Sequence, residues 1–299
     1  MTGTSLFSAL EKVQQGEPCQ GKSEALLALG LRALLAAIGS QEHYRKHYIA
    51  KGGTILRLRS NERLERLSTD LDLSGVELGN TTVADHFTFA SEVGRSATQI
   101  LRSAYSKGAA DIEVTFDEDS LGRVHDESDP NTVTYGIEVS AILAPGKNPT
   151  VARGPAYKID LTCDEYIDLS LIEDLKVESY GIPIDVRIYA PLQSIAEKMR
   201  AILQKRRHFE RKQNSGNWVP RHLFDLVPLR KMVSDQELKL LPELFRKKCA
   251  RRKIDVDAQT RTWLLDDRLL EVAKRKDAPR ATAAWEILKS LTDFAHIPP

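Results

Sequence analysis

The sequence predicts an α/β fold (α+β in its ordering): an α/β amino-terminal domain over residues 1–190 and a helical carboxy-terminal domain over 191–299. Three observations carry this. Short runs with the period-2 alternation of strands recur up to residue 189 and are interleaved with helical patterns. Beyond Pro191 every apolar pattern has helical spacing. The chain, at 299 residues, is also long enough for two domains or for one with a large appendage.

Taken in order, Ser23 to Ile38 is predicted as a helix, with Ser23 as its cap, Glu24 in its first turn and Gly39 as its stop. Its leucines and alanines imply deep packing. Tyr48-Ile49-Ala50 is a short strand leading to Gly52-Gly53, and Thr54 to Arg59 begins the next helix. Ser60 to Leu67 is charged and returns the chain to a strand at Asp70. Phe87 to Tyr105 is helical and ends near Gly108. Strands follow at 111–116, 133–143 and 156–162, separated by an acidic loop at 117–130 and a Pro/Gly-rich loop at 144–155. Pro183 to Tyr189 is a further strand. Helices are predicted over Ala196–Arg207, from Pro220, and over 235–250, 257–274 and 279–294.

Composition is that of an ordinary globular chain. Cys19, Cys163 and Cys249 are isolated, odd in number and without metal-ligand spacing, which points to a reducing cytoplasm and no structural zinc. No signal-peptide pattern opens the chain, and no apolar run suits a bilayer span. The net charge of +1 conceals an asymmetry: residues 71–190 carry 9 basic and 21 acidic side chains, and residues 198–253 carry 17 and 5. Two basic clusters stand out, Lys205-Arg206-Arg207 and a second that joins Arg246, Lys247 and Lys248 to Arg251, Arg252 and Lys253. They are either an RNA-binding track or a solvated helix face.

The chemistry concentrates between Lys51 and Leu73. Adjacent glycines at the start of a helix let backbone N–H groups and the helix dipole approach a phosphate, a role that fits Gly52, Gly53 and Thr54. In Asp70-Leu71-Asp72-Leu73 the strand alternation sends both leucines to one face and both carboxylates to the other. Paired carboxylates beside a phosphate cradle suit a divalent metal shared with a nucleoside triphosphate, with small Ser68 two residues ahead. Asp160 lies on the polar face of the 156–162 strand, either as a third metal ligand or as a solvent-facing carboxylate.

Four ordered motifs resemble those of the AbiEii-type nucleotidyltransferase toxins of type IV toxin–antitoxin and abortive-infection systems. That group includes the mycobacterial Men toxins and lies within the DNA polymerase β-like superfamily. The motifs are Lys51-Gly52-Gly53-Thr54 with Ser68-Thr69-Asp70-Leu71-Asp72-Leu73, the strand Lys158-Ile159-Asp160-Leu161, the helix Ala196-Glu197-Lys198-Met199-Arg200-Ala201, and Arg221-His222-Leu223-Phe224-Asp225-Leu226. The resemblance spans roughly residues 45–230. It departs at His222, where many relatives carry an acidic residue, while Asp225 is retained.

The resemblance implies a polymerase β-like domain with a mixed sheet. It implies Mg²⁺, in two ions, on Asp70, Asp72 and Asp160; phosphate contacts from Gly52, Gly53, Thr54 and Ser68; a triphosphate contact from solvent-facing Lys198; and a catalytic role for Asp225. The expected reaction is transfer of nucleotides from an NTP to RNA, at the 3′ end of tRNA. A cognate antitoxin encoded nearby is the expected partner, without need of a stable complex. Two alternatives stay open: a protein hydroxyl as acceptor, and a non-catalytic nucleotide- or RNA-binding regulator.

Overall fold

The structure is a computed structural model and describes residues 5–60, 70–76, 83–105, 112–117, 132–144, 150–153, 157–163, 165–212 and 221–297. The chain forms two compact units. The first comprises Met1–Cys163 with Glu173–Ile188, and the second Asp164–Ile172 with Tyr189–Pro299.

In the first unit α1 (Leu6–Gly16) starts where the Ser5 side chain accepts a hydrogen bond from the amide of Ser8. Helix α2 (Lys22–Ser40) is buried without a break from Ala25 to Ile38, apolar there except for Arg32, and packs on α1 and on α5 (Val83–Ala104). Among the described residues it is the one helix long and apolar enough to cross a membrane, and most of it lies inside the core. Ser23 lies within α2, whose N-cap is Gly21 without a side-chain cap bond. Gly39 also lies within it. A Cβ there would stand 2.0 Å from the carbonyl oxygen of Asp185, so the glycine serves close packing of helix on strand and not termination.

The chain continues through α3 (Glu42–His47), β1 (Tyr48–Lys51), α4 (Gly52–Arg59) and β2 (Asp70–Gly75). The remaining strands are β3 (Glu113–Asp117), β4 (Thr132–Ala144), β5 (Thr150–Arg153), β6 (Tyr157–Thr162), β7 (Ile172–Ser179) and β8 (Ile182–Tyr189). They form one mixed sheet of eight strands in the order β3-β4-β6-β2-β1-β8-β7, with β5 paired to β4. Two pairings are parallel, β1 with β8 and β2 with β6. Strand β5 falls inside the predicted 144–155 loop, and β7, like α1, carries no predicted element. Strands β7 and β8 meet at Tyr180-Gly181, whose positive φ values of 54° and 83° fit a two-residue hairpin turn.

The second unit is helical after a 3-10 turn at Leu169–Leu171: α6 (Pro191–Lys212), α7 (Arg221–Lys231), α8 (Asp235–Leu238), α9 (Leu241–Arg251), α10 (Ala258–Leu264), α11 (Asp267–Lys274) and α12 (Ala278–Phe294). Two predicted long helices are each broken in two. Pro242 starts α9 afresh, because its ring cannot continue α8. Asp266 accepts from the amide of Arg268 and caps α11, ending the 257–274 run after Leu264.

Candidate functional site

The acidic row begins with strand register. In the parallel pair β2/β6, Asp70 stands opposite Lys158 and Asp72 opposite Asp160, while Leu71 with Ile159 and Leu73 with Leu161 fall between them. All four apolar residues are fully buried, and Asp70, Asp72 and Asp160 are half-buried. The alternation predicted from sequence therefore places all three carboxylates on one face, away from the core.

Strand β1 extends that row. It is antiparallel to β2 with Lys51 opposite Asp72, so Asp160, Asp72 and Lys51 occupy neighbouring positions across three strands. Lys51 is 8% exposed, a lysine placed beside paired carboxylates. Reading the sequence alone gave Lys51 no role, since only the β1/β2 register reveals its neighbour.

Helix α4 starts at Gly52, so the glycine pair is its first turn and not a loop ahead of it. Gly52 has φ +79°, and a Cβ on it would lie 1.8 Å from Oδ2 of Asp72. The main chain at the helix start thus lies directly against the Asp72 carboxylate. Gly53 is buried in the same turn. Thr54 donates its hydroxyl to the carbonyl oxygen of Asp70 at 3.0 Å and is 4% exposed. Its single O–H donor is therefore committed to tying α4 to the start of β2, which leaves its backbone N–H for the expected phosphate contact. Ser68 lies outside the described residues.

Among the described residues no three His, Cys, Asp or Glu side chains already converge as a metal cage. Such a cage is not what Mg²⁺ requires, because that ion commonly takes one or two carboxylates and completes its shell with water and substrate phosphates. Carboxylates adjacent in register, next to a helix start, fit that requirement.

In the second unit, Lys198 on α6 donates to Oδ2 of Asp225 on α7 at 2.8 Å, with side chains only 13% and 4% exposed. Lys198 is thus an enclosed, paired cation and not the solvent-facing helix lysine expected from sequence. One turn before Asp225, His222 is half-buried. Its own burial and the cations Lys198, Lys205, Arg221 and Arg200 hold its pKa well below the ordinary value.

The basic clusters divide. Lys205, Arg246 and Lys247 are exposed. Arg206 is buried and paired with Asp266 at 2.6 Å. Lys248 is 1% exposed; its ammonium meets Glu165 at 3.1 Å, the carbonyl oxygen of Tyr166 at 3.0 Å and Glu197 at 3.3 Å, above the Tyr189 ring. Neither Arg206 nor Lys248 presents its charge to a polyanion, so both leave the predicted RNA-binding set. The physical reason is that a basic run on a helix turns one residue in each cluster inward, where a carboxylate neutralises it. The side chain of Arg207 lies outside the described residues.

A family model described as the nucleotidyl transferase AbiEii toxin of type IV toxin–antitoxin systems matches residues 33–291. That match runs beyond residue 230, where the resemblance read from motifs stopped. No curated protein matches the chain.

Proposed function

Since the chain belongs to the AbiEii family of type IV toxin–antitoxin nucleotidyltransferases, we propose that it transfers nucleotides from an NTP to the 3′ end of tRNA in the presence of Mg²⁺. The observation that carries this reading is the row of Asp72 and Asp160 in register, with Asp70 on the same face and the first turn of α4 against Asp72. In this reading Asp70, Asp72 and Asp160 hold Mg²⁺. The ion, when bound, neutralises triphosphate charge and lowers the pKa of the attacking hydroxyl.

The protein's own groups do the rest. Backbone N–H groups in the first turn of α4 bind phosphate oxygens, reinforced by the helix dipole. Thr54 fixes the distance between that turn and Asp70. Lys51 balances part of the carboxylate charge before substrate arrives. Lys198 contacts the triphosphate and Asp225 orients its ammonium. Lys205, Arg246 and Lys247 supply positive charge toward the RNA backbone.

Type IV membership implies an antitoxin partner, and we place its gene nearby and the reaction in the cytoplasm. The test is purified protein with each of the four labelled NTPs, total tRNA and Mg²⁺. A ladder of extended tRNA is expected. Label appearing in protein would move the acceptor to a protein hydroxyl, and label in neither would leave a nucleotide-binding regulator.

A further inference from the structure

Resting on the reading of Lys198 as a triphosphate contact, we propose that His222 is a second phosphate-binding side chain of the same cluster, donating its Nδ1–H to a phosphate oxygen of the nucleotide. His222 and Asp225 are three residues apart on α7 and share a face, one turn from each other. Asp225 holds Lys198, whose charge acts on the His222 ring. On α6, Lys198 and Lys205 are seven residues apart and lie on one stripe, and α6 packs against α7.

Nδ1 of His222 is buried and has no hydrogen-bond partner among the described residues. A buried, unmet polar atom of this kind costs about 1–3 kcal/mol, and such a cost is retained where a ligand meets it. The chemistry of that ligand follows from the surroundings. Burial first, and then the cations Lys198, Lys205, Arg221 and Arg200, lower the pKa of the ring, which favours its neutral form with one N–H and no charge. A second cation here would add to the repulsion, whereas a neutral donor completes the shell of an anion that the cations attract. An anionic partner assigns the proton to Nδ1.

The experiment uses the full chain and measures affinity for inorganic pyrophosphate and for each of the four NTPs with Mg²⁺ by calorimetry. His222→Phe is expected to weaken both pyrophosphate and the preferred NTP about tenfold, while His222→Asn, whose amide N–H approximates Nδ1–H, stays within about threefold of wild type. The melting temperature of ligand-free His222→Phe is expected to equal or exceed that of wild type, because the substitution removes an unmet buried nitrogen. Unchanged pyrophosphate affinity in His222→Phe would overturn the proposal, pointing to a nucleoside contact if NTP affinity alone falls. Equal loss in both variants together with a lowered melting temperature would overturn it in favour of a packing role. Wild-type protein that binds neither pyrophosphate nor any NTP would instead overturn the transferase reading on which the proposal stands.

Discussion

Asp72 on β2 and Asp160 on β6 are register partners in a parallel pair, which brings two carboxylates side by side on strands about 4.8 Å apart. Like charges directly opposite are destabilising in a sheet, so this arrangement works against folding to the extent that Lys51, opposite Asp72, leaves it unbalanced until a cation binds. Asp72→Asn and Asp160→Asn are each expected to lower nucleotidyl transfer at least about a hundredfold, since a lost metal ligand removes several kcal/mol of charge stabilisation. Both are expected to melt at or above the wild-type temperature without metal, and to lose most of the stabilisation that added Mg²⁺ gives the wild type. A variant of normal activity, measured by NTP consumption, would remove that residue from the metal set.

Gly52 meets two separate demands, and two substitutions separate them. Its φ of +79° disfavours any Cβ, and the Cβ would in addition collide with Asp72 at 1.8 Å. Gly181 has φ +83° with nothing within 4 Å of the Cβ position. Gly181→Ala therefore reports the left-handed backbone alone, at about 1–2 kcal/mol. Gly52→Ala is expected to exceed it in chemical denaturation and also to abolish transfer, because the Asp72 carboxylate must move. Equal destabilisation with retained activity would show that the Asp72 side chain yields freely.

What could be read in the sequence was local. The period of Asp70-Leu71-Asp72-Leu73 fixes which face each residue takes, and the burial of Leu71 and Leu73 agrees with it. Pairing was not legible, so Lys51 acquired its place beside Asp72 only through the β1/β2 register. Gly39 looked like a helix stop because the Asp185 carbonyl that demands a glycine is distant in sequence. Arg206 and Lys248 looked like surface charges because their partners, Asp266 and Glu165, are likewise remote in the chain.

The Lys198–Asp225 pair changes what a lysine deletion measures. Lys198→Ala removes the cation paired with a carboxylate of 4% exposure, and breaking an enclosed pair in this way costs about 3–5 kcal/mol. Its melting temperature is therefore expected to fall by several degrees, together with activity. Lys198→Met with Asp225→Asn removes both charges and is expected to recover most of the stability and none of the transfer. Recovery of transfer in the double variant would show that the pair serves folding alone.

Among the basic residues, exposure decides which affect RNA. Arg246→Glu and Lys247→Glu are expected to weaken RNA binding and to reduce its salt dependence by roughly one unit of log–log slope each, leaving NTP affinity nearly unchanged. Lys248→Glu should behave differently. It places a third carboxylate beside Glu165 and Glu197, where the lysine is 0% exposed, and is expected to unfold the second unit before any RNA measurement is possible. RNA affinity indifferent to salt and to both exposed reversals would make these residues a solvated helix face.

Proton linkage gives a final measurement, independent of substrate. The pKa values of His222 and His86 are both lowered, with burial as the largest cause in each, from an ordinary value of 6.5. The unfolded chain therefore takes up protons at these two positions as pH falls through about 6.5, while the folded chain does not. Their contribution to stability is fully present above the unfolded value and declines as pH falls below it, toward the lowered folded values. Denaturation free energy is expected to rise between about pH 5 and pH 7. His222→Phe should flatten part of that rise, and His222→Phe with His86→Phe should flatten more. A slope unaltered by removing His222 would mean that its ring protonates as readily in the folded chain as in the unfolded one, and would overturn the lowered pKa.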